Sequence, residues 1–89
     1  MATGTFTVDF GAASTDTSVA VADATVGAAT KIEAWLFPTD TATNYEDNYW
    51  FDEIEVMAGY RNVGVGFTVI GKCRQGLAHG TYVGMYATV

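Results

Sequence analysis

Residues 62–89, NVGVGFTVIGKCRQGLAHGTYVGMYATV, alternate apolar and small or polar side chains twice over, with a glycine-bounded break between the two runs. Val63, Val65, Phe67 and Val69 fall on one face of a strand of period two. Tyr82, Gly84 and Tyr86 alternate with Thr81, Val83 and Met85 in a second strand. The intervening RQGLAHG, residues 74–80, reads as a hairpin loop joining them.

The same period recurs upstream. In TFTVDF, residues 5–10, Phe6, Val8 and Phe10 alternate with Thr5, Thr7 and Asp9. Val19 and Val21 repeat the pattern within residues 17–22, and the DATVG that follows supplies turn residues. In KIEAWLF, residues 31–37, Ile32, Ala34 and Leu36 share one face, and Lys31, Glu33, Trp35 and Phe37 share the other. Pro38 ends that strand because it has no N–H to give to a ladder. Residues 39–50, TDTATNYEDNYW, read as a long acidic loop, followed by a fourth strand in which Ile54 and Val56 alternate with Glu53 and Glu55. Thr43 and Glu46 stand in the spacing of a helical capping box, but the β-branched alternation at Ile54 and Val56 argues against a helix, and Gly59 suits a turn. Six short strands separated by Gly, Asp, Asn and Thr clusters describe an all-β, six-stranded antiparallel sandwich in a single domain over residues 1–89.

Composition excludes several function classes. The chain has 89 residues, 49% of them hydrophobic and only 16% charged, too much core material for a disordered segment and too little chain for a second core. Four Lys and Arg against ten Asp and Glu leave a net charge of −6, so nucleic acid and anionic lipid are not expected partners. No basic leader precedes an apolar run, and no stretch approaches the ~18 apolar residues of a membrane span, so a soluble chain without a cleaved signal is expected.

Candidate chemistry is sparse. Cys73 is the single cysteine and His79 the single histidine, which together cannot complete a structural zinc site. As a nucleophile pair across the loop they lack an orienting carboxylate and an oxyanion-hole motif, so no enzyme, cofactor or metal is expected. Asp40, Asn44, Glu46, Asp47, Asn48 and Asp52 put hard oxygens of the kind calcium uses into one loop, but without EF-hand spacing, so a solvated acidic loop is the expected reading ahead of a calcium site. Gly64-Val65-Gly66 lies inside a strand pattern and is no dinucleotide fingerprint. Trp35, Tyr45, Tyr49, Trp50 and Tyr60 form an aromatic set of the kind used to stack on sugars or to anchor protein interfaces. Trp35 and Phe37 oppose Ile32 and Leu36, so both faces of the third strand are apolar; one needs the core and the other a partner or a covering loop. Trp35, Phe37, Val63 and Val65 are the expected oligomer contacts.

The segment EIEVMAGYRNVGVGFTVIGKCRQGLAHGTYVGMYATV, residues 53–89, resembles the H-type lectin domain: an alternating strand at Ile54 to Ala58, an Asn-containing turn at Arg61-Asn62-Val63, a Gly66-Phe67-Thr68-Val69 strand and a hairpin into Thr81 to Tyr86. SVAVADATVGAATKIEAWLFP, residues 18–38, is similar to the matching part of small bacteriophage virion proteins. These resemblances imply an H-type lectin-like sandwich that assembles as a homotrimer in a virion, as a capsid decoration protein or a tail fibre or spike component beside other virion proteins. They also imply, as the alternative, a carbohydrate-binding receptor module for a host glycan. Of the lectin contacts only Arg74, Gln75 and His79 carry over, as polar ligand contacts; no aromatic residue accompanies them in the 74–80 loop.

Overall fold

The period-two pattern produces strands at nearly every position where it occurs. A computed structural model describes residues 2–89. In chain order it contains β1 (Ala2–Asp9), β2 (Asp16–Ala22), β3 (Ile32–Leu36), the single-turn helix α1 (Asn48–Phe51), β4 (Ile54–Asn62), β5 (Gly66–Cys73) and β6 (Thr81–Thr88). The six strands make two antiparallel three-stranded sheets, ordered β1-β6-β3 and β2-β5-β4, packed face to face. The fold is all-β.

Each sheet turns its apolar face inward. Phe6 and Val8 on β1, with Phe10 just beyond it, meet Tyr82 and Tyr86 on β6, and across the sandwich lie Phe67, Val69 and Cys73 on β5. Edge-to-face ring pairs organise this core: Phe10 with Tyr82 at 5.6 Å, Tyr49 with Tyr82 at 5.1 Å and Phe67 with Tyr86 at 5.0 Å between centroids. Burial of such side chains contributes roughly 1.5–3 kcal/mol each. Two glycines make room for the rings. Gly84 pairs with Phe6 and Gly4 with Tyr86. A Cβ on Gly84 would collide with the Phe6 ring and stand 2.6 Å from the Trp35 carbonyl oxygen.

Three sequence expectations are corrected. Residues 74–80 do not form a hairpin loop, because β5 and β6 belong to different sheets and the loop crosses between them. Its ends are held by different neighbours: Arg74 N–H donates to the Glu53 carbonyl, and Ala78 exchanges two backbone hydrogen bonds with Ser14. Val63 and Val65 do not continue the buried face of β5; they sit exposed in the turn between β4 and β5, where Gly64 adopts φ +77° and closes the hairpin. Gly59 is not a turn, since β4 runs through it to Asn62 over a register shift, with Tyr60 at φ +53° marking a bulge. Among the described residues no helix is long and apolar enough to cross a membrane.

Candidate functional site

Two surfaces carry the exposed large side chains. The first is the outer face of the β1-β6-β3 sheet. Register places Met85 between Thr5 and Trp35, and Phe37 N–H donates to the Val83 carbonyl, so Trp35, Phe37, Val83 and Met85 are neighbours. Trp35 is 43% exposed and Phe37 50%. That face also carries the threonine column Thr3, Thr5 and Thr7, and formal charge appears at its margins, on Asp9, Lys31 and Glu33.

The apolar surface continues around the edge of the sandwich. β3 and β4 are edge strands of different sheets and share no ladder, so the seam between them is unsealed. A groove of about 610 Å³ opens there, lined by Ala34, Trp35 and Leu36 on one side and Ile54, Val56, Met57 and Ile70 on the other, with the charged Glu55 and Lys72 beside them. Core-facing residues thus reach solvent along one flank. Val63 and Val65, expected on the same interface, lie in the β4–β5 turn outside this surface.

The second surface is built by α1. Three aromatic residues in a row, Tyr49, Trp50 and Phe51, turn by about 100° each around a single helical turn and cannot all face the core. Tyr49 is buried, and its hydroxyl oxygen accepts the Val83 N–H at 2.7 Å. Trp50 and Phe51 are left outside, 78% and 57% exposed, with their rings edge-to-face at 5.5 Å. The helix begins after Asp47 and not at Thr43: Glu46 N–H donates to Asp40 Oδ1, and Tyr45 N–H donates to Asn48 Oδ1. It stops at Asp52, where Glu53 takes a left-handed φ of +52°, a conformation usually supplied by glycine.

Side-chain hydrogen bonds pin this segment to β6. The Tyr82 hydroxyl donates to Asp52 Oδ2 at 2.6 Å, and the Cys73 thiol donates to the Asp52 carbonyl at 3.1 Å. Burial, then the hydrogen bond to Asp52, then its charge raise the Tyr82 phenol well above the ordinary tyrosine value. Upstream, buried Asn44 donates through Nδ2 to the carbonyls of His79 and Thr81, at 2.9 and 3.0 Å, while Thr43 Oγ1 accepts the Thr81 N–H at 2.8 Å.

The result is a cleft of about 530 Å³ between α1 and the start of the 74–80 loop. Trp50 and Phe51 stand on one side, Arg74 and Gln75 on the other, and Glu53 and Glu55 line it between them. Arg74 Nη1 donates to Glu55 Oε1 at 3.1 Å. Sequence reading placed no aromatic residue beside Arg74 and Gln75, and along the chain that is correct; the fold delivers two from more than 20 positions upstream. His79 is not in the cleft. It is exposed next to Ala78, whose bridge to Ser14 draws the loop toward the β1–β2 connection.

The other candidates disperse. Asp40 Oδ1 and Asn48 Oδ1 accept from the loop's own backbone and Asp52 Oδ2 from Tyr82, Asn44 Oδ1 is buried with no hydrogen-bond partner, and among the described residues no group of three or more His, Cys, Asp or Glu is placed to hold a metal. Cys73 is buried against Asp52, whereas His79 faces solvent. Comparison with family models, curated proteins and solved structures finds no match to this chain.

Proposed function

We propose that this chain is a non-enzymatic bacteriophage virion protein, a capsid decoration or tail fibre or spike component, that works as a homotrimer. The observation that carries the assembly reading is the largely apolar surface from Phe37 and Trp35 across the open β3–β4 seam to Met57, with Glu55 and Lys72 as its only charged lining residues. An unsealed flank on a sandwich this small is stabilised by covering it, and a typical interface removes about 800 Å² per partner from water. A sister copy is the occupant favoured by charge. Each chain carries −6, and this sheet face, charged only at its margins, is where two such chains meet with least repulsion. The virion setting rests on the resemblance of residues 18–38 and 53–89 to phage and lectin-type domains.

Native mass spectrometry and light scattering test the assembly. The wild-type chain is expected to be a trimer at micromolar concentration, and Trp35→Ser with Phe37→Ser a folded monomer. A wild-type monomer that binds no virion component overturns the proposal. Microscopy of particles carrying the chain locates it on capsid or tail.

A second reading is favoured by one specific juxtaposition. Trp50 and Phe51 beside Arg74 and Gln75 combine a stacking surface with hydrogen-bonding groups, the composition of a saccharide site. The trimer then also binds host glycan through the α1 cleft. Glycan-array binding that disappears in Trp50→Ala and Arg74→Ala supports this; a blank array at high protein concentration removes it.

A further inference from the structure

The α1 cleft has an unbalanced charge that a neutral ligand leaves unanswered. Glu53 and Glu55 line it against one cation, Arg74, and Arg74 is already paired with Glu55. That pair is the only ion pair among the described residues, so the Glu53 carboxylate has no cationic partner. No Lys or Arg occurs between Lys31 and Arg61, while Asp40, Glu46, Asp47 and Asp52 add to the negative potential of the segment that carries Trp50. The indole beside these carboxylates is the side chain whose face attracts cations best. An anionic sugar approaching Arg74 meets a guanidinium already neutralised and a second carboxylate that repels it.

From this placement we infer that the cleft selects amino sugars, saccharides bearing a protonated primary amine, over neutral and over anionic ones. The inference rests on the carbohydrate reading of the cleft and adds the ligand's charge to it. The ring stacks on Trp50, its hydroxyl groups meet Gln75 and the Arg74–Glu55 pair, and the ammonium group faces Glu53. A second copy of the chain is a poor source of the same cation, because it brings a net charge of −6 with it. Outside the cleft it offers Lys31, Arg61 and Lys72; Arg61 is tied to the Thr30 carbonyl at 2.9 Å, and Lys72 stands opposite Glu55 in the β4–β5 ladder.

The test is an NMR titration of the full chain at pH 6 with four methyl glycosides of one hexose: the glucoside, the 2-amino-2-deoxyglucoside, its N-acetyl form and the glucuronide. The Trp50 indole N–H and the Glu53 and Glu55 amides report on the cleft. The amino sugar is expected to bind about fivefold or more tightly than the neutral glycoside, with the glucuronide weakest. Glu53→Gln brings the amino sugar to within about twofold of the neutral one, and the distant Glu33→Gln leaves the ratio as in wild type. Trp50→Ala, exposed enough to leave the fold intact, abolishes the response to all four. Equal binding of all four, or tightest binding of the glucuronide, overturns the inference while leaving a saccharide site. No response to any glycoside, or an equal response to methylammonium alone, overturns both. Amine-induced shifts spread over Asp9, Asp16 and Asp23 mean charge attraction without a site and also overturn it.

Discussion

Removing one oxygen atom tests how the loop that carries α1 is held. Tyr82 is completely buried, and its hydroxyl donates to Asp52 Oδ2 at 2.6 Å. Tyr82→Phe keeps the ring and both of its edge-to-face partners, Phe10 and Tyr49, so the packing loss is small and the change isolates the hydrogen bond. A hydrogen bond to a charged acceptor contributes roughly 1.5–3 kcal/mol, a Tm decrease on the order of 10 °C in a domain of this size. The pH dependence is the sharper signature. The folded protein holds the phenol proton above the ordinary value, chiefly by burial, whereas the unfolded chain releases it near pH 10. Below about pH 10 both states are protonated and the contribution is fully present. Above it the unfolded state alone loses the proton, so stability falls as pH rises, by about 1 kcal/mol between pH 10 and 11 for this one residue. Urea denaturation followed by circular dichroism at pH 7, 10 and 11 measures both quantities. The variant is expected to start lower and to fall less steeply in alkali, the other tyrosines and the lysines being common to both proteins. A variant within ~0.5 kcal/mol of wild type at pH 7 with the same alkaline slope refutes the latch.

Other substitutions probe separate parts of the fold. Gly84→Ala places a methyl group into the Phe6 ring and against the Trp35 carbonyl oxygen, and is expected to cost about 1–3 kcal/mol in the same denaturation assay. Asn44→Ala removes the donors to the His79 and Thr81 carbonyls and is expected to cost about 1–3 kcal/mol, with faster hydrogen exchange confined to residues 40–48 and 79–81. Glu55→Ala breaks an ion pair whose side chains are more than half exposed, so a loss below about 1 kcal/mol that vanishes in high salt is expected. Glu53→Gly relieves a left-handed backbone and is expected to leave stability unchanged or raise it by up to about 1 kcal/mol.

Strands were legible because a period of two is a property of neighbouring residues. Phe6, Val8 and Phe10 need only each other to declare an inward face, and β1, β2, β3, β6 and the start of β4 lie where the alternation puts them. Errors arose where glycine interrupts a valid alternation. Val63 and Val65 have the right period for β5, but Gly64 at positive φ turns the chain before the pairing with β2 begins at Gly66. The polar loop hid a helical turn because its stabilising bonds, Glu46 to Asp40 and Tyr82 to Asp52, join residues whose spacing follows no period.

The amino-acid order by itself determined the all-β class, the inward and outward face of each regular strand and the exposure of Trp35 and Phe37, since each follows from side chains two residues apart. Tertiary structure alone decided which strands pair, that residues 74–80 cross between sheets, that the β3–β4 flank stays open and that Trp50 and Phe51 stand beside Arg74 and Gln75. Those outcomes depend on contacts between residues far apart in the chain, formed only when the two sheets close on a shared core, and no local pattern encodes them.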